Sequence, residues 1–199
     1  MKALLVVDIQ NDFLPGGALP VPEGDQVISV INSLMEKDWD LIIATKDWHP
    51  ANHGSFADVQ GKKPGEIIEL GGIPQILWPR HCVQDTLGAE LAKAFHSNKI
   101  DHIILKGVDP EIDSYSALFD NGHRRDTGLH EILTKSNIEH LYIAGLATDY
   151  CVFWSVLDAL HLGYKVSLIL DGSRGIELHP GDIAKALDEM KKKGAEIVF

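Results

Sequence analysis

GLATDYCV, the sequence of residues 145–152, lies between the apolar run Leu141–Ala144 and a helical pattern that continues from Val152 to Leu162. A short apolar run predicts a buried strand, and the spacing after it predicts a helix. Cys151 is therefore expected where a strand passes into a helix. Unpaired backbone N–H groups and the positive end of the helix dipole meet there, and both lower the pKa of a thiol. This position makes Cys151 a candidate nucleophile, although a free cysteine is more often an inert core residue.

Similar apolar runs recur along the chain and alternate with stretches of helical spacing. The runs are Ala3–Val7, Leu41–Ala44, His102–Leu105, Leu141–Ala144, Val166–Leu170 and Ile197–Phe199. The helical stretches are Val27–Met35, Leu87–Phe95, Leu129–Leu133, Val152–Leu162 and Ile183–Met190. Strands without polar alternation, separated by helices, are typical of a parallel sheet covered on both faces. We expect a single α/β domain over residues 1–199, folded as a three-layer α/β/α sandwich.

The composition disfavours several classes of partner. The chain has 199 residues, of which 45% are hydrophobic, and a formal net charge of −11. Nucleic acid and anionic membrane surfaces require concentrated Lys and Arg, so neither is expected as a partner. No apolar stretch approaches the roughly 20 residues that span a bilayer, and Asp8 comes too early for a signal peptide. We therefore expect a cytoplasmic protein in which Cys82 and Cys151 are not paired with each other.

Polar residues at the ends of the predicted strands are candidate site residues, because ligands of open α/β sheets bind outside the carboxyl ends of the strands. They are Asp8 after the first run, Thr45 to His49 after the second, Lys106 after the third, Gly145 to Cys151 after the fourth and Asp171 after the fifth. Any one of them alone is ordinarily a turn or cap residue. Together they bring an acid, a lysine, a thiol and metal-ligand side chains to one edge of the sheet.

Asp8, Lys106 and Cys151 form a candidate nucleophile-and-base set without a histidine. Asp8 could accept the proton of the thiol. Lys106 would stabilise the thiolate and hold Asp8 in place; the alternative is a simple buried ion pair between the two. The backbone N–H groups of Ala147 and Cys151 are candidate donors to an oxyanion, each worth about 3–4 kcal/mol in a preorganised site.

Asp47-Trp48-His49 places two ligand-type side chains on one side of an extended segment, and His53 and His81 follow. An aspartate with two histidines suits Zn²⁺, Fe²⁺ or Mn²⁺. Because the chain has ten histidines, the Asp-x-His pair alone is a weak signal. The sequence therefore offers a metal site as a hypothesis to be tested by the positions of these side chains.

One long irregular segment, from Lys46 to about Thr86, is rich in Gly and Pro. Segments of this length inside a domain are usually functional. Phe13, Trp48 and Trp78 lie in predicted loops rather than in helices. Each could cover a hydrophobic core, but as a set they suit a flat aromatic ligand.

Five segments in order along the chain resemble the isochorismatase-like cysteine hydrolases, and within them most closely the nicotinamidase/pyrazinamidase group. They are LVVDIQNDF at 5–13, DWHPANH at 47–53, WPRHC at 78–82, Lys106-Gly107 and GLATDYCV at 145–152. The resemblance covers essentially the whole chain. It implies a six-stranded parallel sheet and a cis peptide before Ala147.

The resemblance also implies a role for each candidate residue. It places the triad on Asp8, Lys106 and Cys151, and the metal ligands on Asp47, His49 and His81, with His53 nearby as a candidate fourth ligand. It assigns Phe13, Trp78 and Tyr115 to the substrate pocket. The implied metal is a divalent ion, with zinc favoured over iron or manganese.

The activity implied by the resemblance is hydrolysis of nicotinamide to nicotinate and ammonia, and of pyrazinamide to pyrazinoate, through a cysteine thioester in NAD salvage. An isochorismatase or an N-carbamoyl amidase would share the triad without needing the metal ligands. A non-catalytic ligand-binding member is a further alternative, and a homo-oligomer is an open expectation. A dinucleotide-binding domain is disfavoured because no Gly-x-Gly-x-x-Gly follows the first run.

Overall fold

A six-stranded parallel sheet forms the middle layer of the structure, a computed structural model that describes residues 1–199. The strands of the chain are β1 Lys2–Val7, β2 Leu41–Asp47, β3 Ile67–Leu70, β4 Ile73–Ile76, β5 His102–Lys106, β6 His140–Leu146, β7 Lys165–Arg174 and β8 Glu196–Val198. The sheet has the order β5-β2-β1-β6-β7-β8, and β3 and β4 form a separate antiparallel hairpin. The predicted six-stranded parallel sheet is confirmed.

Helices cover both faces of the sheet. They are α1 Gln26–Leu34, α2 Leu129–Lys135, α3 Cys151–His161 and α4 Asp182–Lys193. Alternate residues of β1 point to opposite faces: Leu5 joins a cluster with residues of α2, α3 and α4, whereas Leu4 joins a second cluster with residues of α1. Burying each such leucine is worth about 1.5–3 kcal/mol. The three-layer arrangement is thus confirmed. None of these helices has both the length and the apolar content to cross a membrane.

The helix predicted over Leu87–Phe95 is wrong, because the structure has only a 3₁₀ turn at Leu87–Ala89. Apart from short-range turns, the backbone of this segment pairs with the loop after β1 instead of forming a helix. The Ala92 N–H donates to the Ile9 carbonyl at 2.9 Å, and the Asn11 N–H donates to the Glu90 carbonyl at 3.0 Å. These tertiary hydrogen bonds satisfy the groups that a helix would have used.

Two further features differ from expectation. The long segment after β2 contains the β3–β4 hairpin, whose turn is Gly71-Gly72 with φ of 59° and 80°. Two glycines between two apolar runs are a known hairpin signal, so the sequence could have indicated this hairpin.

Asp171 does not end its strand, since β7 continues to Arg174, and its side chain is exposed.

The end of β6 passes very close to β1. Gly145 has φ of 128°, and a Cβ at this position would collide with the backbone of Val7. A side chain is therefore excluded at the point where the chain leaves the sheet toward Cys151. The peptide between Leu146 and Ala147 is cis, as the resemblance implied.

Candidate active site

The ends of β1 and β5 and the first residue of α3 bring Asp8, Lys106 and Cys151 into contact. The Lys106 Nζ lies 2.8 Å from Asp8 Oδ2 and 3.3 Å from Cys151 Sγ. Asp8 is 0%, Lys106 1% and Cys151 7% exposed, so the cluster is shielded from bulk water. The three residues that the sequence selected separately form one buried group.

Lys106 is also paired with Asp47, so a single ammonium faces two buried carboxylates. Burial alone would lower the pKa of Lys106, but Asp47 and Asp8 raise it well above its ordinary value. Lys106 therefore keeps its charge. With both carboxylates ionised, the buried cluster carries one negative charge in excess, which favours a further cation beside it.

A carboxylate oxygen of Asp8 lies within 4.8 Å of the Cys151 thiol. The Thr45 hydroxyl donates to Asp8 Oδ1 at 2.5 Å, whereas Oδ2, apart from its ion pair with Lys106, has no hydrogen-bond partner. Burial raises the pKa of Asp8, and Lys106 opposes that shift. A carboxylate with a free lone pair and a raised pKa can take a proton from a neighbouring thiol.

Burial raises the pKa of the Cys151 thiol well above its ordinary value, although Lys106 acts in the opposite direction. This differs from the expectation that the helix start would lower it. Because the thiol is enclosed, the loss of solvation outweighs the helix dipole and the ammonium. Cys151 therefore needs a base to become a nucleophile. Asp8 and Asp47 both lie near the thiol, and Asp8 is the one whose Oδ2 has no hydrogen-bond partner.

The backbone N–H groups of Ala147 and Cys151 donate no hydrogen bond in the structure. Both lie in the loop and first turn that hold the thiol. Unpaired donors at this position suit an oxygen that becomes negatively charged when the thiolate attacks a carbonyl. The geometry is thus compatible with the predicted oxyanion hole.

Asp47, His49 and His81 present ligand atoms that all lie within 4.8 Å of one another. Asp47 Oδ2 is 3.6 Å from His49 Nε2 and 3.7 Å from His81 Nε2. The Nδ1 atoms of the two histidines face the carbonyls of Gly107 and Pro79 at 2.8 and 2.7 Å. A carbonyl only accepts, so Nδ1 carries the proton and Nε2 offers its lone pair to the common point. This donor set fits a divalent metal ion.

His53 lies beside this set but in a different hydrogen-bonding state. Its Nε2 is buried and has no partner, and burial lowers its pKa to about 4, so the ring is neutral. The Ser55 N–H donates to His53 Nδ1 at 3.2 Å, which favours a proton on Nε2. In that tautomer Nε2 is a donor, so His53 is a weaker ligand candidate than His49 or His81. Asp113, which the sequence analysis missed, groups with His49 and His53.

A pocket opens beside Cys151. Its lining residues are Phe13, Leu19, Asp47, Trp78, His81, Asp113, Tyr115, Ala147, Tyr150, Cys151 and Ile176. The three residues assigned to the substrate pocket by resemblance, Phe13, Trp78 and Tyr115, are thus brought together. Trp48 is not among the lining residues, and its ring lies under Lys46 Nζ at 4.2 Å. The lining combines aromatic and apolar side chains with the polar Asp47, His81 and Asp113, as suits a flat amide ligand.

Four lining residues were not assigned to the pocket by sequence analysis. Tyr150 lies next to Cys151, and this proximity could have indicated it; its ring packs 4.9 Å from that of Trp78. Leu19, Asp113 and Ile176 come from irregular segments, where no periodicity marks a side chain as pocket-facing. Only the folded chain brings them to Cys151.

Gln10 fixes the backbone of Asp47 from the loop after β1. Its Oε1 accepts the Asp47 N–H at 2.8 Å, and its Nε2 donates to the carbonyls of Asp47 and Ala89 at 2.7 and 2.9 Å. Gln10→Met should lower the free energy of unfolding by about 3 kcal/mol, because unpaired buried polar groups cost about 1–3 kcal/mol each. Gln84→Met, which loses one bond to the Trp48 carbonyl, is the matched control in urea unfolding. Equal losses in the two variants would contradict this role.

Comparison with known proteins gives consistent matches along the whole chain. A family model described as the isochorismatase domain matches residues 2–198. The nicotinamidase of Escherichia coli (strain K12) is 51% identical, covering 98% of this chain and 93% of its own. A crystal structure of the yeast nicotinamidase bound to the inhibitor nicotinaldehyde has a TM-score of 0.95 at 35% identity, covering 100% of this chain and 99% of that one. The zinc complex of Pyrococcus horikoshii pyrazinamidase has a TM-score of 0.80 at 42% identity, covering 99% and 98%.

Proposed function

The chain belongs to the isochorismatase family, and on that premise we propose that it hydrolyses nicotinamide to nicotinate and ammonia, a step of NAD salvage, with pyrazinamide as a further substrate. The observation that carries this proposal is the position of the Asp8, Lys106 and Cys151 cluster. Cys151 lines an aromatic pocket together with Asp47 and His81, and Lys106 contacts both this thiol and Asp8. An amide carbon held in this pocket would face the thiol.

The first half of the reaction forms a thioester. Asp8 takes the thiol proton, and the thiolate of Cys151 attacks the amide carbon, whose oxygen becomes an oxyanion held by the N–H groups of Ala147 and Cys151. Asp8 then returns the proton to the amide nitrogen, the carbon–nitrogen bond breaks, and ammonia leaves. Lys106 stays charged and stabilises the thiolate before attack.

The second half releases the acid. Asp8 takes a proton from water, and the resulting hydroxide adds to the thioester carbon. The carbon–sulfur bond then breaks, the proton on Asp8 passes to the Cys151 thiolate, and the acid leaves and gives up its own proton to solvent as nicotinate. Asp8 thus carries the proton between thiol, amide nitrogen and water, and its ion pair with Lys106, which also contacts Cys151, keeps the carboxylate near the thiol.

We propose that Asp47, His49 and His81 hold a divalent metal ion, with zinc the first candidate and His53 the candidate for a fourth position. The support is the convergence of the two Nε2 lone pairs on Asp47 Oδ2 and the excess negative charge around Lys106. When bound, such an ion supplies a Lewis acid that can anchor a ring nitrogen and orient a pyridine amide.

Gly107 gives a test of this ligand set. It has φ of 65°, its carbonyl holds His49, and a Cβ there would collide with the His49 ring. Gly107→Ala should weaken zinc binding about 10- to 100-fold, because a displaced partner of a ligating histidine costs that much. Zinc titration against a competing chelator measures the effect. Gly61→Ala is the control, since Gly61 has φ of 61° with open space around it; equal affinity in both variants would count against the proposed site.

The remaining expectations from the sequence stay predictions. We propose one functional domain over residues 1–199, a small-molecule substrate, no nucleic-acid or membrane partner, and a cytoplasmic location. Both cysteines are free, as expected. An isochorismatase or N-carbamoyl amidase would show turnover of its own substrate rather than of nicotinamide, and a non-catalytic member would show none.

A further inference from the structure

Asp149, two residues before the thiol, uses both carboxylate oxygens to hold a distant segment. Oδ1 accepts the Ile176 N–H at 2.9 Å, and Oδ2 accepts the Glu177 N–H at 2.7 Å. Glu177 has φ of 52°, and successive N–H groups in such a conformation form a concave anion site. Hydrogen bonds to an ionised carboxylate are about twice as strong as neutral ones. Asp149 therefore fastens this segment to the loop that carries Cys151.

Two further contacts keep the same segments together. The Thr148 N–H donates to the Arg174 carbonyl at 2.8 Å. Gly175 lies so close that a Cβ would be 2.9 Å from Asp149 Oδ1, and it would also collide with Ile183. The absence of a side chain at position 175 thus lets the carboxylate reach the two following N–H groups.

Ile176 is the side chain that this arrangement places in the pocket, where it lines the same space as Ala147 and Cys151. It lies in the connection between β7, which ends at Arg174, and α4, which begins at Asp182. No strand or helix holds it there. Asp149 binds its N–H and so fixes the backbone from which this side chain enters the pocket, while the side chain itself packs against the hydrophobic cluster that includes Phe13 and Ala147.

We propose that Ile176 limits the size of the substrate ring and that Asp149 is a positioning residue that holds Ile176 in place beside the nucleophile. The proposal rests on the amide hydrolysis proposed above and extends it to substrate selection. The proposal concerns the shape of the pocket, so it predicts a change in selectivity between ring-substituted and unsubstituted substrates.

The experiment measures kcat and KM for nicotinamide and for its four ring-methylated forms. Ile176→Ala should raise kcat/KM for at least one methylated form relative to nicotinamide by about 10-fold or more, the scale of one methyl group in an apolar pocket. Asp149→Asn replaces one carboxylate oxygen by an NH₂ group, which cannot accept the hydrogen bond of the backbone N–H that it faces. It should raise KM for nicotinamide about 10-fold with kcat changed less than about threefold, and should shift selectivity toward the same methylated form.

Glu177→Gln is the matched control, because its Oε1 accepts the Gly181 N–H at 2.9 Å in the same connection while its side chain leaves Asp149 untouched. Its selectivity should equal that of the wild type. In the double variant, the two selectivity changes should not multiply, since both act on one wall. A reduced melting temperature of Asp149→Asn with unchanged selectivity would overturn the proposal, as would unchanged selectivity of Ile176→Ala. Failure of the wild type to release ammonia from nicotinamide would instead reject the proposed function.

Discussion

Cys151→Ala is expected to lower ammonia release from nicotinamide by at least about 10⁴-fold, because loss of a nucleophile removes the covalent route entirely. The Cys151 Sγ lies 3.3 Å from Lys106 Nζ and lines the aromatic pocket. Nicotinate binding should be retained within about threefold, since the aromatic and metal-ligand residues are unchanged.

Steady-state ammonia assays and nicotinate titration of the same preparation measure the two quantities. Cys82→Ala is the control, because it makes the same chemical change at a thiol that is 0% exposed in the core and outside the triad. It should retain activity within about threefold, with some loss of stability from the small cavity. Turnover in Cys151→Ala above one hundredth of the wild-type rate would reject the covalent scheme.

Asp8→Asn is expected to lower kcat about 10³-fold, because it removes the group that carries the proton between the thiol, the amide nitrogen and water. The substitution keeps the shape of a residue that is 0% exposed, so no large cavity results. The Asp8 partner of Lys106 becomes neutral, yet Asp47 still pairs with the ammonium. The loss should therefore fall on chemistry more than on folding.

Two measurements separate these effects: kcat for nicotinamide, and the rate at which iodoacetamide alkylates Cys151. The rate constant kcat should fall because the proton carrier is lost, whereas alkylation should not slow, because the negative charge of Asp8 raises the pKa of the Cys151 thiol and asparagine removes that charge. Asp171→Asn is the control, an exposed aspartate on β7 that should leave both rates unchanged. A kcat within tenfold of the wild type would show that a different group moves the proton.

The sequence predicted those parts of the site that depend on the order of strands and helices. Asp8 and Lys106 end buried strands and Cys151 begins a helix, and parallel strands place such ends at one edge of the sheet. Topology predicted the shared edge, whereas the contacts themselves come from the structure, since the same rule also selected Asp171, which is exposed. The fold class followed from the same alternation of apolar runs and helical stretches.

The remaining parts depend on tertiary contacts that leave no local pattern. The segment Leu87–Phe95 has helical spacing, but its backbone hydrogen bonds go to the loop after β1. Leu19 and Ile176 come from irregular connections, so nothing in their spacing marks them as pocket residues. The pKa of Cys151 was expected to be low from its helix position, whereas burial, which only the folded chain determines, raises it.

The most direct test of the account is ammonia release from nicotinamide by the purified protein, measured as prepared, after chelator treatment and after zinc is added back. We predict release that falls about 100-fold or more on metal removal and returns with zinc, because Asp47, His49 and His81 would hold the ion that orients the substrate. Ammonia release that is insensitive to the chelator would contradict the metal site but would still support the proposed amidase activity. No release under any of the three conditions would contradict the proposed function itself.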